Sequence, residues 1–155
     1  MSVYSFEMKK IEQAKIISQG FTKQRAMIFA SILADSRNLD PELIYKQIAQ
    51  ESSWMVNAVS DMGAIGLMQL MPLTANDLKV DRYLWTDNVV GGIKYMATLM
   101  KLYDRNYSKA FAAYNCGPGK VNGLIATHGD LWKRKLPNET QNYLVRILGE
   151  GILNI

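Results

Sequence analysis

The sequence predicts an all-helical domain, or one nearly so, and three observations carry the prediction. Apolar residues recur every three to four positions through most of the chain, as one face of a helix requires. Helix-starting residues precede these runs (Ser5, Thr22, Asp40, Asp87, Ser108) and glycines follow them (Gly20, Gly117, Gly129, Gly149). Strand-like alternation is scarce: at most a small hairpin fits, between positions 56 and 64.

Ser5 caps a first helix, with Glu7 in its first turn and Ile11, Ala14 and Ile17 as its stripe. Thr22 caps a second, which carries Ala26, Phe29 and Leu33 on one face. Asp40-Pro41-Glu42 opens a third. Asp caps it, Pro fills a first-turn site whose N–H would go unbonded anyway, and Glu complements the positive helix end. Ile44, Ile48 and Glu51 then fall at i, i+4 and i+7, which predicts that Glu51 lies on the buried stripe. Thr74-Ala75-Asn76 opens a short helical turn. Asp87 caps a long helix with Val89, Ile93, Met96, Met100 and Tyr103 inward and Lys94, Thr98 and Lys101 outward. Ser108 starts an alanine-rich helix that Gly117-Pro118-Gly119 stops, and a further helix covers 121–127. Asn138 and Gln141 resemble a capping box for the last helix, with Tyr143, Leu144, Ile147 and Leu148 inward.

A chain of 155 residues, 48% apolar and 21% charged, is long enough to bury one substantial core. It holds no repeat, low-complexity tract or linker, so a single domain over 1–155 and a monomer are expected. The net charge of +4 is a mild bias toward anionic partners. No dense basic block or basic–aromatic stripe accompanies it, so nucleic acid is not an expected partner. Cys116 is the one cysteine and His128 the one histidine, which rules out an internal disulfide and a His/Cys metal cluster. The first fifteen residues mix charges of both signs without an apolar core, unlike a secretory signal. The longest mostly apolar run, 26–34, falls far short of the roughly 20 residues that span a bilayer. A soluble protein, made in the cytoplasm and without stable membrane insertion, is expected.

The stretch 48–72, IAQESSWMVNAVSDMGAIGLMQLMP, is where chemistry concentrates. A carboxyl group on an apolar helix face is desolvated, which raises its pKa and suits it to donate a proton as a general acid. Periodicity alone equally permits Glu51 to be a structural acid paired with Arg or Lys at a helix end. The turn between Gly63 and Gly66, and the apolar run 67–71 around a lone Gln69, favour a cleft with one working carboxyl group.

These segments also carry a family resemblance. Glu51-Ser52, Ala58-x-Ser60 and GAIGLMQLMP at 63–72 resemble the signature of the soluble lytic transglycosylases, a family with a lysozyme-like domain. AYNCGPGKV at 113–121 and Glu139-Thr140-x-x-Tyr143 continue it, in the family's order. The resemblance spans about 39–148, which sets N-terminal helices (1–38) before a transglycosylase core (39–148). It implies a lysozyme-like, mainly helical fold with a small hairpin beside the cleft. It also implies roles: Glu51 as the catalytic acid/base, Ser60 and Gln69 lining the cleft with Met68 at its border, and Tyr114 and Asn115 holding the sugar or orienting Glu51. Glu139 would add a hydrogen bond from the last helix, and Gly63, Gly66, Gly117 and Gly119 would shape turns.

Asp61 reads as a turn former, with a second-carboxylate role as the alternative. Trp54 reads equally as a sugar platform and as a rim residue of the core. Met71 packs, and His128 is a surface or capping residue. Cys116 stands where the family usually has a small residue, often Ala, and reads as a packed side chain.

The reaction implied is cleavage of the β-1,4 bond between N-acetylmuramic acid and N-acetylglucosamine, with 1,6-anhydro ends and no metal or cofactor. The partner is then the glycan strand of peptidoglycan. A hydrolytic muramidase on the same scaffold is the nearest alternative. A non-catalytic glycan-binding module of an envelope-crossing machine is another. The expected place of action is the periplasm or cell wall, reached by phage delivery, by release through a holin, or by a secretion system.

Overall fold

The computed structural model describes residues 20–154, so the first predicted helix, with Ser5, Ile11, Ala14 and Ile17, lies outside the described residues. Seven α-helices are described: α1 (Lys23–Ser36), α2 (Pro41–Ser52), α3 (Pro72–Leu78), α4 (Trp85–Leu102), α5 (Tyr107–Cys116), α6 (Pro118–His128) and α7 (Asn138–Leu148). Two 3-10 turns, Gly129–Lys135 and Ile152–Asn154, flank α7. Among the described residues the only β pairing is two isolated bridges, Val59 with Ile65 and Ile65 with Leu70. The fold is therefore mainly helical, with a rudimentary hairpin after α2. No described helix is long and apolar enough to cross a membrane.

The chain divides into two compact units at Ile93–Lys94, within α4. In the first, α1 packs on α2. Thr22 caps α1 by accepting from the Arg25 N–H at 3.1 Å, and Asp40 caps α2 by accepting from the Glu42 N–H at 2.9 Å. Phe29, Ile44, Ile48, Leu67, Met68 and Leu70 are fully buried. Such a side chain contributes roughly 1.5–3 kcal/mol by leaving water. Trp85, the first residue of α4, meets Phe29 and Phe21 edge to face at 5.5 and 5.7 Å.

Gly91 and Gly92 give this unit a notch on α4. A Cβ on Gly91 would stand 2.9 Å from Leu70 Cδ1, and one on Gly92 would stand 2.6 Å from Met68 Cβ. Mid-helix glycines ordinarily cost about 1 kcal/mol each relative to Ala. Here they admit the segment 68–70 against the helix backbone.

In the second unit α5 packs on α6 and α7, and α6 on the 3-10 turn that follows it. Asn106 caps α5 by accepting from the Lys109 N–H at 3.0 Å. Ala110, Phe111, Ala112 and Ala113 are fully buried, as are Val121 and Leu144. Small side chains on three sides of α5 let its neighbours approach closely.

Several boundaries differ from the sequence expectation. α4 begins at Trp85, and Asp87 sits in its first turn, where it accepts from the Asp81 N–H instead of capping. α5 begins one residue before Ser108, and α6 begins at Pro118 directly after Gly117, which ends one helix and opens the next. The capping box at α7 is absent: Pro137 is the N-cap residue and no side chain caps it. Gln141 instead reaches back to the carbonyls of Leu136 and Arg134, at 2.8 and 3.2 Å. Gly119 shapes no turn: it is an ordinary helical residue of α6, outside the left-handed region, and a Cβ there would meet nothing.

Candidate active site

Glu51 occupies the last turn of α2. The buried stripe of that helix runs through Ile44, Gln47, Ile48 and Ser52, so it passes beside Glu51 and not through it. Glu51 is half-buried at the border. A carboxyl group there is partly desolvated yet reachable. Ser52 is buried and donates its hydroxyl to Ile48 O at 3.2 Å. The chain then turns through two successive left-handed residues, Ser53 (φ 51) and Trp54 (φ 62). Few non-glycine residues adopt that conformation, and it is tolerated where the surroundings enforce it. The Trp54 ring lies 6.1 Å from that of Tyr45, with Lys23 Nζ 5.7 Å from its centre.

The loop after Trp54 is held by polar side chains. Ser60 and Ala64 are joined by two hydrogen bonds, Ser60 N–H to Ala64 O (2.9 Å) and Ala64 N–H to the Ser60 side-chain Oγ (3.0 Å), and Gly63 N–H closes on Ser60 O. Asp61 and Met62 form the exposed tip of this turn. Gln69, itself left-handed (φ 52), donates its amide to Gly66 O at 2.9 Å and Ala58 O at 3.1 Å. Ser60 and Gln69 thus belong to one loop, braced between positions 58 and 70, that follows the helix bearing Glu51. Met68 is fully buried, its side chain sealed in the core against the Gly92 notch, so it offers no surface to a ligand.

Two residues outside the motifs organise this loop. Asn88, fully buried on α4, accepts from Met68 N–H at 2.8 Å and donates to Ile65 O at 2.8 Å and Arg82 O at 2.9 Å. Arg82 donates one guanidinium nitrogen to Gly63 O at 2.7 Å and to Leu70 O at 3.1 Å. Sequence reasoning missed both. A lone Asn among apolar residues on a helix face was the available signal for Asn88, because a buried amide must find partners. Arg82, in a polar loop, gave none.

The second unit carries the other predicted residues. Tyr114 and Asn115, both half-buried, end α5. The Tyr114 ring packs on Tyr95 with centres 5.2 Å apart. Burial pushes the Tyr95 hydroxyl above its ordinary pKa, so it stays protonated. Asn115 Oδ1 accepts from the Thr140 hydroxyl at 2.8 Å, which turns the amide nitrogen the other way. Thr140 is buried on α7, whereas its neighbour Glu139 is exposed in the first turn. The polar contact from the last helix to α5 therefore comes from Thr140. The inward period through Tyr143, Leu144 and Ile147 already placed Thr140, not Glu139, on the buried stripe.

Cys116, half-buried at the end of α5, has its thiol pKa raised, chiefly by burial. That opposes a nucleophilic role. His128 is half-buried at the last position of α6. Among the described residues no group of three or more His, Cys, Asp or Glu side chains could hold a metal ion.

Comparison with known proteins places this arrangement. Residues 29–137 match the model of the transglycosylase SLT domain. The chain is 38% identical over 86 residues to the transglycosylase of Enterobacteria phage PRD1, covering 55% of this chain and 32% of that protein. It is 33% identical over 125 residues to membrane-bound lytic murein transglycosylase D of Escherichia coli K12, covering 72% of this chain and 27% of that protein. It thus spans about a third or less of these relatives' length. In three dimensions it resembles an inactive glutamate-to-glutamine variant of the lytic transglycosylase Slt from Pseudomonas aeruginosa, with a TM-score of 0.70 and 29% identity over 77% of this chain and 22% of that one. The match covers Glu51, the braced loop, and Tyr114 and Asn115: the chain belongs to the transglycosylase SLT domain family.

Proposed function

We propose that this protein is a peptidoglycan lytic transglycosylase with Glu51 as its single catalytic acid/base. The observation that carries the reading is the setting of Glu51: half-buried in the last turn of α2, beside the buried stripe, and followed by a loop whose backbone Asn88, Arg82 and Gln69 brace between positions 58 and 70. Preorganised groups of this kind reduce the reorganisation that a reaction needs. The lytic transglycosylase names of the relatives support the substrate class, and the inactive glutamate-to-glutamine form of Slt supports dependence on one glutamate.

In the proposed reaction Glu51 gives its proton to the β-1,4 oxygen between N-acetylmuramic acid and N-acetylglucosamine, and the C1–O4 bond breaks. The N-acetyl oxygen of the muramic acid stabilises the electron-poor C1. The Glu51 carboxylate then takes the proton of the C6 hydroxyl, O6 bonds to C1, and a 1,6-anhydro ring closes. Water is not consumed, and Glu51 ends protonated, as it began. Ser60 and Gln69 line the glycan site, Tyr114 and Asn115 bind the reacting sugar or orient Glu51, and Glu139 adds an exposed polar contact. The protein acts as a monomer on glycan strands in the periplasm or cell wall, delivered by a phage or a secretion apparatus.

The test is mass spectrometry of muropeptides released from purified peptidoglycan by the wild type and by Glu51→Gln. Anhydro ends, lighter by one water, are expected from the wild type and no release from the variant. Hydrated ends alone would make the protein a hydrolytic muramidase. Glycan binding without turnover by the wild type would make it a binding module. Release by Glu51→Gln at the wild-type rate would remove Glu51 from the mechanism.

A further inference from the structure

The second unit has a cavity of about 430 Å³, formed by the start of α5 and the two 3-10 turns, Gly129–Lys135 and Ile152–Asn154. That volume is in the range of small-ligand sites. Its wall carries Lys109, Lys133 and Arg134 against one carboxylate, Asp130. Beside the cations stand the buried Trp132 and the exposed Leu131.

Lys133 uses one of its donors on Ile152 O at 3.3 Å. Its ammonium is pushed below the usual lysine pKa by burial first and by the like charge of Lys109 second. Two ammonium groups close enough to repel are relieved by an anion placed between them. A guanidinium at the same wall favours an anion with two oxygens in a plane. The apolar surface beside it suits an anion that carries an apolar group, which bare phosphate lacks.

We propose that this cavity binds the carboxylate end of a peptide, with the acid against Lys109, Lys133 and Arg134 and the terminal side chain against Trp132 and Leu131. The site lies wholly in the second unit and uses none of the residues assigned to strand cleavage. It stands or falls separately from the catalytic reading.

The test is a titration of the ¹⁵N-labelled chain followed by NMR, with N-acetyl-alanyl-alanine, its C-terminal amide and inorganic phosphate as probes. The acid is expected to give saturable shifts at the Trp132 indole N–H and the amides of Lys133 and Arg134, with a Kd of roughly millimolar order. Lys133→Met should weaken it about tenfold, the worth of one charge-assisted hydrogen bond. Lys109→Met, on a different element, gives the same reading if Lys133→Met does not fold. Glu51→Gln should leave the shifts unchanged. Equal shifts with the amide probe would overturn the proposal. So would phosphate binding as tightly as the acid, wild-type affinity in the Lys109 and Lys133 variants, or no shift at about 10 mM acid.

Discussion

The carboxamide of Asn88 fills the space that any side chain at position 66 would need. A Cβ on Gly66 would lie 2.7 Å from Asn88 Cγ, and Gly66 has a φ of 84° that L residues rarely adopt. With that space open, the one amide bonds the backbone of Met68, Ile65 and Arg82 together. The loop after Glu51 therefore owes its shape to a residue 20 and 23 positions beyond the two loop groups it holds, on Met68 and Ile65.

The pairing has a measurable signature. Gly66→Ala should destabilise by roughly 2–4 kcal/mol, from left-handed strain and a displaced amide. Asn88→Ala should cost a similar amount by leaving the buried Met68 N–H without its acceptor and taking a donor from Ile65 O and from Arg82 O. The double variant should cost clearly less than both together, because without the Asn88 amide the new methyl group has room. Urea midpoints of the four proteins close the cycle, and strict additivity would break the link drawn between the two residues.

How much of this the sequence discloses depends on the kind of interaction. Helix stripes were legible because burial repeats with the helical period: Ala26 and Phe29 on α1, and Val89, Ile93, Met96 and Met100 on α4, are all buried as expected. Caps at Thr22 and Asp40 were legible because the donor lies two or three residues away. The Glu51 segment stood out because an acid, two glycines and a lone amide sit within twenty residues. Asn88 and Arg82 did not, because the loop groups they hold, on Gly63, Ile65, Met68 and Leu70, lie 12–23 residues away, where no local rule reaches. Pro137 displaced the expected cap at Asn138 because Gln141 found carbonyls in the preceding turn.

Gln47 is a buried amide whose replacement by an apolar side chain is expected to stabilise the fold. Its side chain is fully buried one turn before Glu51, and among the described residues neither its amide nitrogen nor its oxygen has a hydrogen-bond partner. A buried, unbonded amide costs roughly 1–3 kcal/mol. Gln47→Met keeps length and flexibility while removing both polar atoms. It should raise the urea midpoint by the equivalent of about 1–2 kcal/mol. A lower midpoint would mean that the amide has a partner in solution.

Thr140 should act on activity through Asn115. Thr140→Val conserves shape but removes the hydroxyl that fixes Asn115 Oδ1. Stability should fall by roughly 1–2 kcal/mol. On the proposed function, kcat should fall about tenfold, since a reoriented amide no longer meets the sugar correctly. Thr140→Ser retains the hydroxyl and should restore most of kcat, which loss of packing alone would not predict. Equal kcat in all three proteins would confine Thr140 to a structural role.

Cys116 should make stability fall with rising pH. Burial raises its thiol pKa in the folded protein, while in the unfolded chain it returns to about 8.5. Below that unfolded value both states hold the proton and the thiol adds no pH dependence. Above it the unfolded state loses the proton first, so unfolding is favoured progressively until the folded thiol also ionises. Urea midpoints from neutrality through the thiol range, about pH 8–10, should therefore decline more steeply for the wild type than for Cys116→Ala. Tyr103 is also shifted upward, in part by Cys116, but chiefly by its own burial, so most of its contribution cancels in the comparison. Alkylation gives an independent reading: at mildly alkaline pH the folded thiol should react with iodoacetamide more slowly than the same thiol in urea. Identical slopes together with identical alkylation rates would mean that the thiol is as solvated in the fold as in the unfolded chain.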